Sequence, residues 1–245
     1  MELCFIPRGL RLGLSFLTRL IPAQAAEPQE FTSCLAWFPV TGLILGGLLG
    51  LPWGLGLTGN PWLSAWILAG LSAWATRGLH LDGLADIADA WGSGAEGEKF
   101  WAILKDSRVG AFGVMGLVLA VAGQIAVFGT ALGRDLPGLV IWSFVLGRTA
   151  VVVLAWLGRD LARPGLGRLF AAGATGKTAA WAVVQALVLG WLLAPAKGLV
   201  LGCLLTGAAV FWLWRLAKAK AGLNGDFFGA VVVIGEIAAC LGGVI

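Results

Sequence analysis

Along the chain, apolar runs long enough for a bilayer alternate with short polar interruptions, and the interruptions carry nearly all of the charge. Residues 8–21 are apolar but include Arg8, Arg11 and Arg19, a pattern that predicts an amphipathic helix lying on the membrane surface and stopped by Pro22. A polar linker over 23–32 follows. Spans are expected over 34–57, 62–79, 110–132, 138–157, 179–194, 198–214 and 227–245, judged against the roughly 20 residues that cross a hydrocarbon core. The first holds Gly42, Gly46, Gly50 and Gly54, spaced so that a neighbouring helix can approach closely. The second leads straight into 80–92, and the pattern leaves open whether the two form one helix or break near Gly78. The expected fold is therefore all-α and polytopic, with about seven transmembrane helices after the N-terminal amphipathic one, in a single membrane-embedded domain over 1–245.

Composition agrees. Hydrophobic residues make up 59% of the 245 and charged residues only 12%, where a soluble domain carries about 25% charge; mean hydropathy is +0.90. The net charge of +4 comes with no dense Lys/Arg run, which argues for loop orientation rather than nucleic-acid binding. The N-terminus and the segments 77–109, 158–178 and 215–226 hold fourteen Lys and Arg, against Arg134 and Lys197 in the opposite loops, with Arg148 left inside a span. Basic residues favour the cytoplasmic side, so seven spans with a cytoplasmic N-terminus put every chemistry-bearing segment on the cytoplasmic face. The opening Met1–Arg8 lacks the basic-then-apolar order of a cleavable signal, so the first span is read as a retained insertion signal. Cysteines at 4, 34, 203 and 240 show neither zinc nor disulfide spacing.

The chemistry concentrates in 78–113. Asp82, Asp86 and Asp89 stand at i, i+4 and i+7, so at roughly 100° per residue all three carboxylates share one helical face. No basic residue lies between them. Three anions on one face repel unless a cation sits among them, and hard oxygen ligands suit Mg²⁺ or Mn²⁺, the ions that accompany phosphate. A solvated acidic face is the plain alternative, although the flanking segments are almost free of charge. Lys105-Asp106-Ser107-Arg108 then precedes Gly110 and Gly113 at the start of a span. A helix N-terminus beside Lys105 and Arg108 could receive phosphate, unless those two are only interfacial anchors. His80, the sole histidine, is open to a role as base, as ligand or as bystander. Asp226 and Glu236 form a second acidic element. Glu236 lies inside an apolar span and so points to function, while Asp226 could instead cap a helix. Gly173–Thr178 looks like the tail of a P-loop but lacks the leading glycine, position 171 being alanine, and the preceding strand.

These residues resemble the cobalamin synthase family, also called adenosylcobinamide-GDP ribazoletransferase. The likeness rests on Gly78–Asp89 and Leu104–Gly113 together, supported by Phe16–Arg19, Phe38-Pro39, Ala162–Gly167 and Gly225–Ala230 with Glu236. Ala90 stands where glycine is expected after Asp89, and Leu223-Asn224 replaces a Gly-Thr type pair, departures that touch loop detail and no charged group. The resemblance implies a multi-pass enzyme of the bacterial cytoplasmic (inner) membrane. It would transfer the adenosylcobinamide phosphate group from adenosylcobinamide-GDP to α-ribazole or its 5′-phosphate, with Mg²⁺ required and GMP released. It implies Asp82, Asp86 and Asp89 as metal ligands with Asp106 as a further one, Asp82, Asp86 and His80 in catalysis, and Lys105, Arg108, Asp226 and Glu236 toward substrate. Lipid and the two substrates are the expected partners, nucleic acid is not, and a homo-oligomer stays open.

Two other classes fit parts of the pattern. CDP-alcohol phosphatidyltransferases also set aspartates on membrane helices, but with Asp-x-x-Asp-Gly spacing followed by Ala-Arg, which is absent here. An ion-coupled transporter using Asp82, Asp86 and Glu236 would be expected to show two related halves, and the aspartate block occurs once.

Overall fold

The spacing of apolar and small residues dictates which helices meet. A computed structural model describes residues 6–24, 27, 30 and 33–245, apart from the side chain of Leu166; the opening Met1–Phe5 and most of the 23–32 linker lie outside the described residues. Among the described residues the architecture is all-helical: α1 (Arg8–Leu17), α2 (Phe38–Gly54, led in by a 3-10 turn at Leu35–Trp37), α3 (Pro61–Ala75), α4 (Leu79–Gly92), α5 (Gly97–Leu104), α6 (Ala111–Gly133), α7 (Pro137–Leu157), α8 (Leu166–Gly173), α9 (Gly176–Leu193), α10 (Ala196–Ala219) and α11 (Gly225–Val244).

Six of these have the length and apolarity to cross a membrane: the Leu35–Gly54 segment, α6, α7, α9, α10 and α11. The span expected over 62–79 is instead the 15-residue α3, which rises only about 22 Å. It stops because Arg77 (φ 58°) and Gly78 (φ 70°) both adopt left-handed backbone. The break near Gly78 is real, and α4 starts there. Together α3 and α4 run antiparallel to α6: Trp62 packs on Gly129 at one end and Ala88 on Gly116 at the other. The aspartate helix therefore lies against the first turns of α6 and is not itself one of the six spans.

The bundle is built around α7 and α11, the most enclosed spans, with 83% and 72% of their apolar windows buried against 22–39% for the others. Close approach to α7 explains the glycine stripe of α2, since a Cβ at Gly42 would collide with the backbone of Phe144, while Gly54 faces open space. The α1 helix is shorter than expected and ends at Thr18, four residues before Pro22, where the backbone turns extended. Both long polar loops fold further than their sequences suggested. Phe100, Trp101 and Leu104 are buried on α5, and 158–178 contains a 3-10 turn at Arg159–Leu161 as well as α8. Thr175 caps α9 by accepting from the Thr178 amide, which accounts for the P-loop-like tail as a helix start. Cys34, Cys203 and Cys240 are not joined in a disulfide.

Candidate active site

The site is assembled where α4 crosses the start of α11. Gly83, between Asp82 and Asp86, lets the helices touch: a Cβ there would sit 2.8 Å from the Asp226 carbonyl oxygen. This brings the two acidic elements of the sequence together. Asp226 and Asp82 both line a cavity of about 140 Å³ with His80, Gly167, Phe170 and Phe228. Asp82 also lines a larger groove of about 710 Å³, walled by Ser15 and Phe16 of α1, by Arg77, by Val109 just before α6 and by Leu117 of α6. Asp82 thus stands where a wide opening meets a narrow one.

Among the described residues no Lys, Arg or His forms an ion pair with Asp82, Asp86 or Asp226. Asp86 is pushed up to about 7, first by burial and then by the negative charges of Asp226, Asp82 and Asp89. Asp226 accepts from the Asn224 side-chain amide at 2.6 Å. Among the described residues no group of three or more His, Cys, Asp or Glu side chains is placed to hold a metal ion. Mg²⁺ does not need such a cage, because it keeps several waters and is commonly held by one or two carboxylates plus substrate phosphates. The crowding of unneutralised charge around Asp86 fits an ion bound in that way.

Because the Asp86 carboxyl titrates near 7 in the fold and near 3.8 when unperturbed, the folded chain holds a proton through that interval that the unfolded chain has lost. Stability of the metal-free protein therefore falls as pH rises from about 3.8 to about 7. Asp86→Asn is expected to flatten that slope and to raise the metal-free melting temperature at pH 8 by about 2–4 °C. That is the shift from roughly 1 kcal/mol in a chain of this size, set below the full shift because the carboxyl is partly solvated. Scanning fluorimetry in detergent measures it, and a variant melting below the parent at pH 8 would count against the uncompensated cluster.

The four aspartates expected as ligands do not act alike. Asp89 caps α6, its two oxygens accepting from the Gly110 and Gly113 amides at 2.7 Å each. The helix N-terminus expected to receive phosphate therefore holds a carboxylate of the chain itself. Asp106 is bound in a fork by Arg108, with the Nη2 group at 2.6 Å and Nε at 2.9 Å, and that contact draws it down to about 2. Asp89, Asp106 and Arg108 line a separate open pocket of about 510 Å³. Lys105 is exposed at the end of α5.

His80 is buried at 6% exposure. Burial, and after it the Arg148 charge, holds its imidazole well below the usual value, so it is neutral. Glu236 lines neither the wide groove nor the narrow cavity. It is paired with Arg148 deep in the bundle, and Gln124 donates to its other oxygen at 2.7 Å.

Three features went unread in the sequence. Arg148 pairs with Glu236, a match that could have been found because they are the single basic and single acidic residue in the middle of spans. The 161–167 segment docks on 223–225, through the Arg163 amide to the Leu223 carbonyl at 2.9 Å and Gly167 against Asn224 and Gly225; both segments were singled out, but nothing in them announced the contact. Arg77, counted only as an inside-facing charge, lines the large groove.

The family model for cobalamin-5-phosphate synthase matches residues 9–244. An adenosylcobinamide-GDP ribazoletransferase of Nitratidesulfovibrio vulgaris strain Miyazaki F is 46% identical, over 96% of this chain and 94% of its own. Proteins of the same name are 36% identical in Thiobacillus denitrificans, over 96% and 94%, and 31% identical in Klebsiella pneumoniae, over 92% and 94%. No solved structure matches the chain.

Proposed function

The chain belongs to the cobalamin-5-phosphate synthase family, and on that premise we propose that it is an adenosylcobinamide-GDP ribazoletransferase acting at the cytoplasmic face of the bacterial inner membrane. The observation that carries this reading is the meeting of Asp82 and Asp226 in the narrow cavity, at the point where Asp82 also opens on the wide groove, with Asp86 close enough to feel both charges. A ribazole hydroxyl attacks the phosphorus attached to the cobinamide side of the diphosphate. The bond from that phosphorus to the GMP oxygen breaks, and GMP leaves. His80, lining the narrow cavity beside Asp82, would accept a hydrogen bond from the attacking hydroxyl and orient it, and the hydroxyl proton passes to solvent. Asp82 and Asp86 would hold Mg²⁺, with Asp226 across from them, and the ion would neutralise charge developing on the diphosphate oxygens. The wide groove gives a bulky corrinoid access to Asp82 without crossing the bundle.

The loop charges support that orientation: fourteen of the Lys and Arg fall in the N-terminus and the segments 77–109, 158–178 and 215–226. The short α3 supports the same topology, because the α3–α4 pair returns alongside α6.

The test is GMP release by the purified protein in liposomes from adenosylcobinamide-GDP and α-ribazole 5′-phosphate, with and without Mg²⁺. Stoichiometric GMP and cobalamin phosphate, dependent on metal, are expected. A folded, Mg²⁺-supplied sample that releases no GMP would sink the reading.

A further inference from the structure

The turn between α3 and α4 closes in the two-bond pattern that ends many helices: the Gly78 amide donates to the Ala73 carbonyl at 2.8 Å and the Arg77 amide to the Trp74 carbonyl at 3.1 Å. In that pattern the left-handed position usually belongs to glycine, and here it belongs to Arg77 at φ 58°. A side chain is strained there, so the backbone gives no reason for arginine.

The guanidinium does. Its Nη2 group donates to the Ser15 carbonyl and to the Thr18 carbonyl, at 2.7 Å each. Ser15 lies in the last turn of α1 and Thr18 is its C-terminal cap, so both carbonyls belong to the helix end that lacks intrahelical partners. A second tie lies beside it, the Arg19 amide donating to the Ala75 carbonyl at 2.7 Å. Ser15 and Phe16 wall the wide groove, Arg77 and Gly78 line its edge, and Asp82 lies one turn further on, with its amide bonded to the Gly78 carbonyl at 2.8 Å. We propose that Arg77 is a positioning residue whose guanidinium holds α1 in place as the wall of the groove facing Asp82. Without the clamp, α1 keeps the Arg19–Ala75 bond beyond its C-terminal end and the packing of Gly9 and Gly13 on Trp37 and Thr41, and the groove wall facing Asp82 loosens.

Arg77→Gly separates this role from a local one. Glycine suits the left-handed backbone, so a purely local turn would keep or gain stability, whereas the proposed clamp is lost. Hydrogen exchange of R77G by mass spectrometry in detergent is expected to show faster exchange across 8–18, with α7 and α11 as protected as in the parent. In the transfer assay KM for the corrinoid substrate is expected to rise about tenfold, the loss that one charge-assisted clamp represents, with kcat changed by less than about threefold. R77K, which keeps a charged donor, is expected to fall between. Unchanged exchange over 8–18, or an unchanged KM with kcat lowered in step with the folded fraction, would overturn the proposal. The kinetic half rests on the transferase reading and the exchange half does not, so a parent protein without transfer activity leaves the exchange result to decide.

Discussion

Asparagine in place of Asp82 is expected to lower ribazole transfer by about a thousandfold or more, the loss that roughly 4 kcal/mol of transition-state stabilisation represents. The substitution is nearly isosteric and removes the charge from Asp82, which among the described residues is the one charged side chain lining both the wide groove and the narrow cavity. It also lowers the repulsion on Asp86, so the variant is expected to melt no lower than the parent. Activity and stability would then move in opposite directions, as is common where a site holds like charges together. Single-turnover GMP release beside a melting curve reads both. A stable D82N that keeps more than about a tenth of parental transfer would remove Asp82 from the reaction.

The second large effect lies in the bundle interior. Arg148 and Glu236 are 1% and 2% exposed, and the guanidinium also lies 5.2 Å over the Phe144 ring. Two of its nitrogens, Nε and Nη2, are buried without a hydrogen-bond partner, so the pair to Glu236 is its principal compensation. Breaking such a pair from one side strands a charge, at a cost of about 3–5 kcal/mol. Arg148→Met or Glu236→Leu alone is expected to lower the melting temperature sharply and to yield protein prone to aggregate on extraction. The double replacement is expected to recover most of the loss, because well-packed apolar side chains are often as stable as a buried pair. Singles that melt like the parent, or a double no better than either single, would show that the pair does not hold α7 to α11.

Much of this molecule was legible in its sequence because hydrophobic runs, basic loops and an aspartate repeat are local signals. Six of the seven expected spans follow from the length of the apolar runs, and the placing of Asp82, Asp86 and Asp89 on one helix follows from their spacing. The failures share one cause, which is that partners are distant. Nothing near Asp89 indicates that the Gly110 and Gly113 amides, over twenty residues on, will claim both its oxygens. Asp226 joins Asp82 only because Gly83 admits the start of α11. The shortened second span came from a left-handed arginine, which periodicity does not register. Glu236 was rightly marked as unusual for its depth, but depth gives no direction, and its partner lies 88 residues earlier.

That separation has a consequence for how the protein is made. A ribosome delivers α7, with Arg148 at its middle, well before α11 exists, so the nascent chain must place a cation in lipid, or hold it at the translocon, until Glu236 emerges. The final helix therefore acts as a keystone. A chain halted before residue 225 carries five of the six long spans and still lacks the carboxylate that pairs with Arg148.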